Sequence, residues 1–272
     1  MTENEKLKLI FDEAYKFLLK KLVEEGKLDK SGAEKILRNQ LDYYLSYKPN
    51  NMTVVFKRMV ESLKNKQGYK NFIADTRDMN KILFSFDPKR VFEYYGFDWK
   101  KLFKNFERKF GKRYKMNIDN QRSSWVIFTK GVISASNFCK EFKNVKNLDT
   151  FIKTFLLNEY TTAALPMLLE KEIYGFGFPL ACDFLKELGY PDFGKPDVHL
   201  KDIFYELGLV ERYDDYEVFK VIVKIGKATG ERPVIVDKVF WLIGSGSFYD
   251  SNIKIPRMKK DFITYIRTNF LA

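Results

Sequence analysis

A chain of 272 residues that is 45% hydrophobic and 31% charged has the composition of a folded protein with a sizeable core, built as one large domain or two lobes. Lysine and arginine number 48 against 36 acidic residues, and the resulting net charge of +12 favours polyanionic partners. No stretch approaches the roughly 18 apolar residues of a membrane span, and the opening MTENEKLKLIFDE carries acids where a secretory signal carries bases, so the cytoplasm is the expected location, with nucleoid association in a prokaryote and no membrane partner.

Apolar residues recur at helical spacing almost throughout, and 15 glycines with 8 prolines are too few for the turns of a sandwich or barrel, which predicts an all-α protein. Leu7, Ile10, Phe11, Ala14, Phe17, Leu18 and Leu22 form a first stripe that Gly26 stops. Ser31 opens a second helix, which Pro49 ends. Helices are then expected over 51–65 and 75–85, and Asp87-Pro88 caps another that runs to Tyr95 and ends at Gly96. A helix over 99–109 is followed by GKRYKMNIDN at 111–120, a basic stretch without an apolar repeat that reads as a surface loop. The pattern continues with helices over 120–142, 147–156, 160–171, 178–188, 198–207, 214–229, 233–243 and 256–269. Cys139 and Cys182 are the only cysteines, too few for a four-cysteine iron–sulfur cluster or zinc knuckle from this chain alone, and they read as small buried hydrophobes. With His199 as the one histidine, no metal site is expected.

The stretch LPMLLEKEIYGFGFPLACDFLKELGYPDFGKPDVHLKDIFYEL, residues 165–207, carries the chemistry. It sets a glycine-pinched turn between two helical patterns and, twenty residues on, an aspartate at another helix start. It resembles the helix-hairpin-helix DNA glycosylase superfamily, with Gly175-Phe176-Gly177 in the place of the hairpin glycines and Pro196-Asp197-Val198-His199 in the place of the aspartate motif. The resemblance implies a two-lobed helical fold with a cleft between lobes. It covers residues 67–272, so that residues 1–66 stand as an N-terminal helical extension. The partner it implies is double-stranded DNA containing a damaged or modified base.

So short a turn needs backbone angles that a side chain obstructs, which glycines at 175 and 177 relieve. Pro179 is tolerated in the first turn of the helix that follows. Free amides and the positive dipole end at that helix start suit a DNA phosphate. Gly-x-Gly before a helix by itself fits an ordinary tight connection better, and it is the resemblance that makes Tyr174, Gly175, Phe176, Gly177 and Phe178 the expected clamp. The resemblance adds a monovalent cation held by loop carbonyls there and implies no other required cofactor.

Asp197, ahead of the helical face made by Leu200, Ile203 and Phe204, has a plain role as an N-cap. The two roles are compatible, because helix amides hold a capping carboxylate rigid while one oxygen stays available. Breaking the bond between base and deoxyribose builds positive charge on the sugar, and the resemblance gives Asp197 the role of stabilising it and orienting water. Family members that also cut the backbone, like endonuclease III, carry a lysine two residues after the second hairpin glycine. Here that residue is Pro179, which cannot form a Schiff base, so the resemblance points to a monofunctional hydrolase. Lys171, Lys195 and Lys201 lie near enough in sequence to substitute.

A flipped base needs aromatic or apolar walls. The candidates near basic or flexible segments are Trp125 in QRSSWVIF and Trp241, Phe248 and Tyr249 in VFWLIGSGSFYD, each with packing as the alternative role. The sequence leaves open which base is excised. It also leaves open a non-catalytic helix-hairpin-helix DNA-binding protein and a helical protein-interaction module.

Overall fold

The computed structural model describes residues 1–46, 48–65, 72–248 and 253–271. Among them thirteen α-helices, two short 3-10 turns and one two-stranded hairpin account for the regular structure, so the fold is all-α. No described helix is long and apolar enough to cross a membrane. The chain divides into two compact units, residues 1–47 with 189–272 and residues 48–188. The break expected at residue 66 is not where the packing divides: the first two helices join the C-terminal third of the chain, and the third helix joins the middle.

The first unit begins with α1 (Glu3–Gly26) and α2 (Lys30–Ser46). It continues with α10 (Val198–Glu206), α11 (Asp215–Thr229), α12 (Pro233–Ser245) and α13 (Lys259–Phe270). The stripe from Leu7 to Leu22 is buried and packs on α11 and α12. Apolar on nearly every side, α12 runs through the core, where helices of that pattern belong. Glu13 ties α1 to α13 by accepting the Tyr265 hydroxyl at 2.7 Å. The strands β1 (Ser247–Phe248) and β2 (Ile253–Lys254) pair antiparallel in the GSGSFYD region, where sequence reading expects only a loop.

In the second unit α6 (Ser124–Lys140) is central, capped by Ser123 and packed by α3 (Met52–Lys64), α4 (Pro88–Tyr95) and α5 (Trp99–Phe110). The remaining helices are α7 (Val145–Lys153), α8 (Glu159–Glu172) and α9 (Phe178–Glu187). Asp87 caps α4 and Gly96 ends it, as their spacing predicts. The helix expected over 75–85 does not form. Two 3-10 turns, Thr76–Met79 and Phe84–Phe86, stand there instead. Pro88 drives Asp87 out of the helical region (ψ 109°), and before it Phe84, Ser85 and Phe86 take left-handed φ values of 48°, 56° and 62°. That turn delivers Phe86 to the core against Phe56, ring centroids 6.4 Å apart.

Candidate functional site

Between α8 and α9 the chain makes a tight turn. Ile173 ends α8, the Tyr174 amide donates to Ser134 Oγ on α6 at 2.8 Å, and the Phe176 amide returns to the Ile173 carbonyl at 3.1 Å. Gly175 sits at φ +85°, and a β-carbon there would stand 2.9 Å from Ile127 Cγ2, so both conformation and space demand glycine. Gly177 differs. Its φ of −109° suits any residue, and an added β-carbon would meet only Pro179 Cδ, at 3.8 Å. The fold therefore gives no reason for glycine at 177.

The amides of Gly175 and Gly177 have no hydrogen-bond acceptor among the described residues, and Gly177 caps α9 with no side chain of its own. Phe176 and Phe178 are buried, while Tyr174 is 47% exposed. Of the expected clamp, then, Phe176 and Phe178 anchor the turn and the outward groups are the two glycine amides and the Tyr174 ring. Lys130 on α6 reaches that ring, its amine 5.2 Å from the centroid. The carbonyls of Tyr174, Gly175 and Phe176 accept no hydrogen bond among the described residues; that of Tyr174 packs on Gly131 of α6, and those of Gly175 and Phe176 are oxygens of the kind a hard cation takes.

In the other unit Asp197 is the N-cap of α10. Its Oδ1 accepts the amides of His199 at 2.8 Å and Leu200 at 3.3 Å, while Oδ2 has no hydrogen bond among the described residues. The loop ahead of it is pinned to α12: Asp237 Oδ2 accepts the Lys195 amide at 2.9 Å, and the Asp197 amide donates to the Lys195 carbonyl at 2.9 Å. Gly194 makes this possible, since a β-carbon there would lie 2.6 Å from Ile222 Cγ2 and 2.7 Å from the Pro233 carbonyl.

Burial, and next the negative charge of Asp237, push the Asp197 carboxyl above its ordinary value of 3.8; His199, the Leu200 amide and Lys195 oppose the shift. His199 packs against Gly244 of α12 with Nδ1 buried and unpartnered. Burial lowers its pKa below 6.5, with Lys259 and Arg257 adding to the effect, so its neutral form is favoured. Asp237 is the residue that sequence reading missed. Its signal was the Asp237-Lys238 pair inside the otherwise apolar VIVDKVFWLIG, a charged pair that must find partners once buried.

The proposed base-pocket residues fare differently. Trp125 is 1% exposed and lies inside its unit among Phe106, Phe110 and Phe128, with Nε1 unpartnered, so it is a core residue and forms no pocket wall. Phe248 is likewise core, held by the β1–β2 pairing, because the hairpin folds its side chain inward. Trp241 is half-buried on α12 with the Lys238 amine 4.1 Å from its ring centroid. Tyr249 lies outside the described residues. Of the alternative lysines, Lys201 is held by Asp215 at 2.8 Å, Lys195 has its backbone amide on Asp237, and Lys171 is exposed. Cys139 and Cys182 are both buried.

No protein-family model matches the sequence, and no curated protein matches it. Solved structures do. A crystal structure of Methanocaldococcus jannaschii 8-oxoguanine glycosylase/lyase, in complex with 15mer DNA containing 8-oxoguanine, aligns with TM-score 0.50 at 16% identity over 84% of this chain and 96% of that one. A structure of the 8-oxoguanine DNA glycosylase from the same organism aligns with TM-score 0.51 at 16% identity, over 84% and 94%. The chain has the fold of these helical DNA glycosylases.

Proposed function

We propose that this protein is a DNA glycosylase that hydrolyses the N-glycosidic bond of a flipped damaged or modified base, with water as the nucleophile and no lyase step. The observation that carries the reading is the fixed carboxylate of Asp197, on the fold of 8-oxoguanine glycosylases. Two helix amides occupy Oδ1 and hold the group in place, which leaves Oδ2 for the sugar cation or the attacking water. A rigid carboxylate in a partly dry setting stabilises an oxocarbenium-like charge more strongly than one in water.

The Gly175 and Gly177 amides supply sequence-independent phosphate contacts at the start of α9. A monovalent cation on the loop carbonyls beside them, with those of Gly175 and Phe176 as its first candidates, would add positive charge for the phosphate. Pro179 supports the hydrolytic assignment, and in this the chain departs from the glycosylase/lyase described for one structural neighbour.

The test is a panel of lesion duplexes with 8-oxoguanine first, since that is the base named for both neighbours. Alkylated purines, deaminated bases and modified pyrimidines follow. Wild type is expected to leave an abasic site that breaks only on alkali treatment, while Asp197→Asn binds without releasing base. Strand breaks without alkali, or borohydride trapping of a covalent complex, overturn the hydrolytic assignment. Absence of product from every lesion leaves DNA binding without catalysis.

A further inference from the structure

The unit that holds the glycine turn carries a second feature rich in aromatic and basic groups. Residues 81–115 hold eleven lysines and arginines against four acids, a net +7 of the chain's +12. None of those eleven cations forms an ion pair with a carboxylate among the described residues, whereas Lys201, Lys220, Lys224, Lys259 and Arg267 in the other unit all do. Positive charge left unpaired on this scale is a footprint for a polyanion.

Within it lies an open pocket of about 580 Å³, a size within the range of small-ligand sites. Phe84, Tyr94 and Tyr95 form its aromatic side, Asn105 contributes an amide, and Lys81 and Arg108 stand at its edge. Phe84 and Tyr94 meet edge to face at 5.1 Å, and Tyr94 is 49% exposed. The Lys101 amine lies 3.7 Å from the Tyr94 centroid and the Arg90 guanidinium 5.4 Å from that of Phe84.

The pocket is built at a cost. Three successive non-glycine residues with left-handed φ, 84–86, are each disfavoured by about 1–2 kcal/mol. Burial of Phe86 accounts for part of that strain, but the same turn directs half-buried Phe84 to the pocket. The surface also reaches the glycine turn: Lys130 lies 4.8 Å from the Trp99 ring at the start of α5 and 5.2 Å from the Tyr174 ring. From Trp99 to Arg108 the helix extends about 14 Å, roughly four phosphate spacings of a DNA strand.

We infer that this pocket is a second DNA site, which takes an unpaired nucleotide of a strand, its base against Tyr94 and Phe84 and its flanking phosphates on Lys81 and Arg108. Aromatic faces with interleaved cations recognise unpaired bases without regard to sequence, because every base offers a π-face. The inference rests on DNA as the partner and is independent of base excision.

Fluorescence anisotropy on the full chain tests it, with a labelled single-stranded oligonucleotide and the same strand in a matched duplex. Tyr94→Ala is expected to weaken single-strand binding about tenfold or more and duplex binding far less. Arg108→Ala is expected to reduce the slope of log affinity against log salt by about 0.7 on the single strand. Should Tyr94→Ala lower the melting temperature, Tyr94→Leu replaces it, with the same single-strand preference expected. Unchanged single-strand affinity overturns the inference, and so does an equal loss on single strand and duplex, which is what phosphate contact alone gives. Lesion cleavage by the same variants separates the two readings: base release with Tyr94-independent binding sinks the pocket alone, and Tyr94-dependent binding without any base release sinks the glycosylase alone.

Discussion

The Asp237 carboxylate on α12 accepts the backbone N–H of Lys195 at 2.9 Å, two residues before Asp197, and its negative charge raises the Asp197 pKa. One side chain from a helix about forty residues downstream thus holds the loop ahead of the proposed catalytic group and adds to the larger effect of burial on its ionisation. The pH dependence follows from the sign of the shift. Base release needs ionised Asp197, so the acid limb of kcat/KM, which reports the free protein, lies above 3.8. Asp237→Asn keeps an oxygen for Lys195 and removes the charge, so the limb moves to lower pH. A limb that stays in place in a folded variant means the charge of Asp237 is not felt at Asp197.

Asp197 sets stability against activity. A carboxyl whose folded pKa is raised contributes most to stability below its unfolded pKa, and the contribution is lost as pH rises through the folded value. At neutral pH its ionised form is therefore a cost to folding. Asp197→Asn retains the capping oxygen without the charge and is expected to abolish base release while leaving the melting temperature equal or higher. Asp197→Ala loses the cap and sits about 1 kcal/mol below Asn in chemical denaturation. Equal stabilities for Asn and Ala would show that the cap contributes nothing.

The two turn glycines separate fold from binding. Gly175→Ala places a side chain at φ +85° against Ile127 and is expected to cost about 1–3 kcal/mol in urea unfolding. Gly177→Val sets its β-carbon only in van der Waals contact with Pro179 Cδ and is expected to change stability by less than about 1 kcal/mol while weakening DNA binding for every sequence alike. Wild-type affinity in a folded Gly177→Val protein removes the turn from the DNA interface.

Trp125 belongs to packing. Trp125→Ala is expected to cost about 3–5 kcal/mol of stability, as for other large buried aromatics. Trp125→Phe, which also removes the unpartnered indole N–H, is expected to leave KM and kcat for base release unchanged. A change in substrate preference for the Phe variant would return Trp125 to the base pocket.

The sequence by itself determined the helical class, most helix boundaries and the two local devices that matter. Asp87, Asp197 and the turn at Gly175 are legible because caps and turns are settled by hydrogen bonds and backbone angles within a few residues. Tertiary structure alone decided that Trp125 and Phe248 are core, that Asp237 reaches Lys195, that α1 and α2 pack with the C-terminal helices, and that residues 84–86 coil left-handed where helical spacing predicts a helix. Burial and long-range pairing depend on which distant surfaces meet, and no local pattern of residues encodes that.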